Sequence, residues 1–584
     1  MARGTCPNPT SSTTLALLNR WLDDCKTHHK GCNRSTSKSP LPTRVVDVGT
    51  KDSDPFLYTS IGENADYITL SYAWGGDVLS KTIKSNLRER QESLPESTLP
   101  QAFRDAFIIA RGLNIRYIWI DALCIVQDDL DDWLRESVLM CQVYENCTLT
   151  ISATKSNKCE SGFLQPRVNP EQEIGTYMDA VERPLHVRVA QSNVRQIQGP
   201  LNDRAWTFQE RLLSPAVLHF TDDGIYWECK SICVNDSGAR LNCNVELKAI
   251  YAPEEWSFGG GEKYESASGF ENVWSGIVEN YCKRTLTFPQ DKLVALSGIA
   301  QRYQVRTNGK YVAGLWENKL MRWLLWQRSK TAAWGLQVFG QRSSVYRAPS
   351  WSWASLDGFF KYDRHIFEED PVPCPSLPFR IQSYYVQEES PGACGTISYS
   401  HLTITGLLYE ATYPPILRHS TYQEKLHTEI GTWDCRMDAL IYPKEEIERE
   451  GHCWLMPIAI WPAGNWGGYL WGLVLGRPRD VFQPLPGDLM RLGTATMLLT
   501  WHVNRLPNRA EYITERSAVG DTLNQSKTFS DHFPGNEEQP EEHKIDEEPS
   551  SFYSGMDEEH KRRWEERMSG LHFDRTKIRT VRIV

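Results

Sequence analysis

Three apolar runs, YITLSYAWG (Tyr67–Gly75), YIWID (Tyr117–Asp121) and CTLTISAT (Cys147–Thr154), decide the fold of this chain. Each is short, rich in β-branched and aromatic residues, and reads as a buried strand. Between the first two, LPQAFRDAFIIARGLN (Leu99–Asn114) sets Ala102, Phe103, Ala106, Phe107 and Ala110 on one helical face. Between the second and third, Asp132–Asn146 reads as another helix, apolar at Trp133, Val138, Met140, Val143 and Tyr144. Strands alternating with helices of this length predict βαβ units, an α/β class and a parallel sheet flanked by helices. Ligands of such sheets gather beyond the carboxyl ends of the strands. Those ends are Ser71–Gly76 and Asp121–Asp129.

Upstream, Leu15–Cys32 reads as an amphipathic helix through Leu15, Leu18, Trp21 and Leu22, and Leu41–Val48 as a strand. Downstream, RAWTFQERLLSP (Arg204–Pro215) precedes two further strands, AVLHF and IYWEC. A Gly/Glu-rich loop over Ser257–Gly269 and helical patterns over Asn272–Trp326 follow. Residues Tyr384–Val503 alternate in short apolar strands and predict a β-rich C-terminal region. The polar, acidic stretch Gly520–Ser551 reads as a disordered linker; Met556–Val584 reads as a charged helix and then a strand, TVRIV. The expected organisation is 1–60 (helix and strand), 61–215 (the α/β core), 216–360 (a mixed extension), 361–515 (β-rich), 516–555 (linker) and 556–584. Trp454–Gly476 has no charge and is long enough for a bilayer. Its prolines and glycines instead favour two strands, Leu455–Trp461 and Tyr469–Leu475, around a turn, so no membrane span is expected.

At 584 residues the chain exceeds a single core. Its net charge of −10, with no basic stripe, argues against a nucleic-acid partner. The 15 cysteines lack framework spacing, and no apolar leader stands at Met1–Thr14. Free thiols in a reducing, cytoplasmic setting are expected.

The stretch Tyr67–Glu210 resembles the fungal heterokaryon incompatibility (HET) domain. The resemblance is carried by YITLSYAWG, YIWIDALCIVQDD (Tyr117–Asp129), DWLRESVLMCQVYENCTLTISA (Asp132–Ala153) and RAWTFQERLLSP, in order and spacing. Its flanks also resemble those of HET proteins: WLDDCKTHHKGC before it, then DKLVALSGIA (Asp291–Ala300), AGLWENKLMRWLLW (Ala313–Trp326) and APSWSWASLDG (Ala348–Gly358). Ala73 stands where many relatives have Cys, and Asn146–Cys147 where Asn/Ala–Ala is usual. The resemblance implies an effector of allorecognition and programmed cell death that self-associates and engages protein partners. HET domains have been likened to TIR domains, which implies a flavodoxin/TIR-like sheet and, as the alternative activity, cleavage of NAD.

By that likeness Glu136, one helical turn after Trp133, is the candidate catalytic carboxylate, where it would stabilise an oxocarbenium-like state; pairing with Arg135 is the competing role. Ser71, Tyr72, Trp74, Gly75 and Asp121 are the candidate ligand-binding residues at the strand exits, together with Trp133. Asp121 would orient a ligand or cap its own turn. Cys124 has no histidine close in sequence to activate it, so a packed thiol is expected rather than a nucleophile. Cys25, His29 and Cys32 form a C-x3-H-x2-C cluster, but a structural zinc site wants four ligands, with His28 or Cys6 as candidates to complete it. Without a second pair at fixed spacing, no metal is expected. Arg204, Trp206 and Glu210 read as braces of the sheet.

Overall fold

The computed structural model describes residues 8–29, 32, 38–50, 53–76, 80–166, 173–178, 184–188, 197–241, 267–329, 341–363, 365–372, 374–388, 396–412, 424–437, 452–462, 467–476, 485–500, 543–544, 558–569, 571 and 573–584. They fall into two compact units that divide after Thr307.

The first unit is built on one eight-stranded sheet. Its elements are α1 (Ser12–His28), β1 (Arg44–Asp47), β2 (Phe56–Thr59), β3 (Tyr67–Ser71), α2 (Gln101–Gly112), β4 (Tyr117–Trp119), α3 (Leu130–Asn146) and β5 (Leu149–Ser152). Then come α4 (Trp206–Leu213), β6 (Ala216–Phe220), β7 (Ile225–Cys229), β8 (Cys233–Asn235), α5 (Ala267–Tyr281) and α6 (Val294–Thr307). The spatial order is β8-β7-β6-β5-β3-β4-β1-β2. The central strands β4, β3, β5 and β6 are parallel. Residues of β3, β5 and β6 are buried throughout, which is why their sequences run apolar without alternating.

The sheet is nevertheless mixed rather than parallel, a correction to the sequence reading. The β1–β2 hairpin adds antiparallel to β4, and β7 and β8 add antiparallel to β6. A hairpin needs only a short turn, whereas each parallel neighbour needs a crossover, so the chain extends both edges by hairpins.

The expected faces of α3 are corrected too. Asp132 and Glu136 are buried, while Leu130, Leu134 and Val138 are 69%, 41% and 47% exposed. Helix α6 packs on α3 and α4 through Gly298, whose amide donates to Gln209 Oε1 at 2.8 Å. A side chain at Gly298 would collide with Cys141.

The second unit is β-rich. Strands β9 (Arg380–Glu388) and β10 (Ile397–Leu407) pair with each other. A closed barrel follows from β11 (Tyr409–Thr412), β12 (Glu424–Thr428), β13 (Gly431–Met437), β14 (His452–Pro462), β15 (Gly467–Gly476) and β16 (Met490–Thr500). Closure removes the unpaired strand edges that an open sheet would present. The uncharged segment is thus the antiparallel β14–β15 pair, and no helix among the described residues is long and apolar enough to cross a membrane. Strand β17 (His543–Lys544) pairs with β9; after α7 (Glu558–Ser569), the final strand β18 (Ile578–Ile583) pairs with β10. Apart from 267–269 and 543–544, the sequence-predicted Gly/Glu loop and acidic linker lie outside the described residues.

Candidate functional site

The carboxyl ends of the parallel strands carry the polar groups. Strand β3 ends at Ser71 and runs into Tyr72, Ala73, Trp74 and Gly75. Gly75 has φ +79°, and a Cβ there would collide with Lys158. Only glycine serves at such a position without strain. Asp121 opens a short helical turn after β4 and gathers this loop. Tyr72 Oη donates to its Oδ1 at 2.7 Å, Trp74 Nε1 to its Oδ2 at 2.8 Å, and the Ala122 amide to Oδ1 at 2.7 Å. Burial pushes the Asp121 carboxyl up from its ordinary value, while the bonds from Tyr72 and Trp74 oppose that. The carboxylate of Asp121 thus caps its own turn, as one of its two readings expects, and also clamps the β3 exit.

The second carboxyl is Glu210, on α4. It is 8% exposed, and its Oε2 has no hydrogen-bond partner. Burial pushes it from 4.5 up to about 7, helped by the charge of Asp121. Hydrogen bonds with Ser71 and Tyr144 and the charge of Arg204 act against the shift. The Arg204–Glu210 segment, expected only to brace the sheet, thus delivers a titrating group to the candidate site. The sequence signal was one charge one helical turn from an apolar residue of α4, the buried Leu213.

A third group went unread in the sequence. His219 on β6 and Glu228 on β7 are each 1% exposed and lie 3.1 Å apart, Nε2 to Oε2. Arg211 holds the same Glu228 oxygen at 2.5 Å, and His219 Nδ1 is 3.2 Å from Thr154 Oγ1. Ionisable residues inside AVLHF and IYWEC, two otherwise apolar strands, are the pattern that marks them. Ser71, Ser152, Arg211 and His219 line a small cavity with room for about one water.

Glu136 does not join these groups. It belongs to a cluster with Arg44 and Asp132, where Arg44 Nη2 lies 2.5 Å from Asp132 Oδ2 and 3.7 Å from Glu136 Oε1. Arg135 Nε is 3.6 Å from the same Glu136 oxygen. Burial raises the Glu136 carboxyl, and Thr43 and Arg44 counter it. Trp133 is half-buried on that helix. Cys124 is wholly buried, and burial pushes its thiol up to about 12, which leaves it protonated and poorly nucleophilic. Among the described cysteines Cys233 is disulfide-bonded, an exception to the expected free thiols. The Cys25, His29 and Cys32 side chains converge with Cys229.

Glu210 gives a pH signature. Its folded value lies above its ordinary one, so the folded state holds a proton that the unfolded state has released. Its contribution is full below about 4.5 and is lost as pH rises through about 7, a swing on the order of 3 kcal/mol. Urea unfolding of wild type and Glu210→Gln across that range should show the variant gaining relative stability as pH rises. Parallel pH profiles would show that Glu210 is solvated instead.

Comparison with curated proteins and with solved structures finds no match. Residues 67–210 match the family described as Heterokaryon incompatibility protein (HET). That span runs from the first residue of β3 to Glu210 itself, so it takes in Ser71, Tyr72, Trp74, Asp121 and Glu136 and stops short of His219 and Glu228. The chain therefore carries a heterokaryon incompatibility domain and is a HET-domain protein.

Proposed function

We propose that this chain is a heterokaryon-incompatibility-type effector, a cytoplasmic module acting in allorecognition and programmed cell death by self-association and recruitment of protein partners. The HET match supports the biological role. One observation supports self-association: Leu130, Leu134 and Val138 recur every fourth residue on α3 and form an exposed apolar row inside the HET domain. A Leu134→Glu, Val138→Glu variant is expected to stay folded, to sediment as a smaller species than wild type, and to lose toxicity when expressed in a filamentous fungus. Toxicity undiminished in the variant would sink this reading.

A second reading is favoured by Glu210, namely that the HET domain cleaves NAD. Glu210, held near neutrality beside a second carboxyl, Asp121, supplies a pair in which one carboxylate stabilises the oxocarbenium-like charge and the other takes the proton of the attacking water, while nicotinamide leaves as a neutral group that needs no acid. The cavity beside Ser71 has room for about one water, so a nucleotide does not fit it as it stands. NAD is followed over time with assembled wild type, Glu210→Gln and Glu136→Ala. Consumption abolished by Glu210→Gln places the chemistry at the strand ends, and consumption abolished by Glu136→Ala alone moves it to the Arg44 cluster. No consumption under any assembled condition removes the NAD reading.

A further inference from the structure

Helix α1 ends in a cluster of metal-binding side chains that the strand-end site does not use. Cys25 lies in its last turns, and His29, four residues on, is its C-cap. The chain then turns back, with the Cys32 amide donating to the His29 carbonyl at 2.9 Å. Facing them is Cys229, the last residue of β7. One ligand atom from each of Cys25, His29, Cys32 and Cys229 lies within 4.8 Å of all the others. His29 Nδ1 is 3.5 Å from Cys229 Sγ.

These separations suit a single small ion. With Zn–S of about 2.3 Å and Zn–N of about 2.0 Å, the corners of a tetrahedral site stand roughly 3.5–3.8 Å apart. The surroundings suit thiolates as well. The amides of Ser231 and Ile232 each donate to Cys229 Sγ at 3.4 Å, and Ser231 Oγ is 3.5 Å from Cys32 Sγ. Hydrogen-bond donors of this kind stabilise sulfur that carries negative charge. Cys25, Cys32 and Cys229 are free thiols, so no disulfide competes for them. His28 is exposed and 3.5 Å from Asp24, which corrects its candidacy as the fourth ligand. Cys6 lies outside the described residues.

Three thiolates and an imidazole select zinc over the hard cations, which take oxygen ligands. Four protein ligands leave no open position, which marks a structural rather than a catalytic ion. We propose that Cys25, His29, Cys32 and Cys229 bind one structural zinc ion that staples helix α1 to the end of strand β7. The staple sits beside the packed pair Trp21 and Trp227, whose ring centroids are 6.3 Å apart, so metal and indoles fasten the same two elements. Its binding energy is then part of the folding energy of this corner.

The full chain, purified from zinc-supplemented culture without chelators, is expected to carry about one zinc ion per chain by elemental analysis. Cys229→Ser should lower that to below about 0.2. Cys124→Ser, which removes a buried thiol elsewhere, should leave it unchanged. Wild type loaded with cobalt(II) provides a readout that does not depend on a variant folding, since thiolate-to-cobalt charge transfer and tetrahedral ligand-field bands are expected. His29→Cys should retain the metal and move those bands to lower energy. A zinc-free wild type with no thiolate–cobalt bands overturns the proposal. So does a metal content equal in wild type and Cys229→Ser.

Discussion

Replacing Arg44 with methionine is expected to destabilise the first unit by about 3–5 kcal/mol. Arg44 stands on β1 with its side chain 9% exposed, and it is the inner cation of two buried carboxylates. Asp132 and Glu136 side chains are 6% and 1% exposed. Arg44 Nε also donates to the Cys124 carbonyl at 2.7 Å, so the guanidinium ties α3 to the turn that follows β4. Methionine keeps much of the volume and removes the charge, leaving two carboxylates facing each other with only the half-exposed Arg135 nearby. Breaking a buried pair costs far more than the pair contributes, because the orphaned charge remains desolvated. Adding Asp132→Asn and Glu136→Gln to Arg44→Met should recover most of the loss, since no buried charge is then left. Chemical denaturation of the three proteins checks both steps. A loss below about 1 kcal/mol for Arg44→Met would mean that water reaches the cluster and that Glu136 is available for other work.

Asp121→Ala is expected to cost about 2–4 kcal/mol and to loosen the β3 exit. Three donors lose their acceptor together: Tyr72 Oη, Trp74 Nε1 and the Ala122 amide. Tyr72 is 6% exposed and Ala122 wholly buried, so at least two of those donors stay away from water. Each unsatisfied buried donor costs about 1–3 kcal/mol, and Trp74, half-exposed, recovers part of its share from solvent. Asp121→Asn keeps the shape and one acceptor oxygen and should cost about half as much. Trp fluorescence alone is a poor monitor in a chain with 21 tryptophans. Amide hydrogen exchange over residues 71–76 is the direct one, and protection there should fall in Asp121→Ala. Unchanged protection would show that Gly75 and its packing on Lys158, rather than the carboxylate, hold the loop.

The parts of this fold legible in sequence are those fixed by local pattern. The runs around Tyr67, Tyr117 and Leu149 became strands, and Gln101–Gly112 and Leu130–Asn146 became helices within a few residues of their expected ends. The unbroken apolar runs also foretold strands covered on both faces. What the pattern could not hold is partnership at long range. Glu136 on α3 looks like an exposed helical glutamate until Arg44, on a strand 92 residues earlier, reaches it. Glu210 looks like a brace until Asp121 and Ser71 close around it. The C-x3-H-x2-C motif lacked a fourth ligand because Cys229 lies far along the chain and meets it only once β7 has joined the sheet. The edge strands show the same thing: Leu41–Val48 reads as a strand, yet nothing local says that it adds antiparallel to a parallel core.

Strand order in the second unit bears on the timing of synthesis. Strand β10 waits for β18, its neighbour in the sheet, which is encoded at Ile578–Ile583. Among the described residues, those of the first unit end at Thr307. At about 5–20 residues per second, the ribosome takes roughly a quarter of a minute to a minute to cover the intervening ~270 residues. Every newly made molecule therefore passes through an interval in which its HET domain has emerged and can fold while the sheet of β9 and β10 still lacks its last strand.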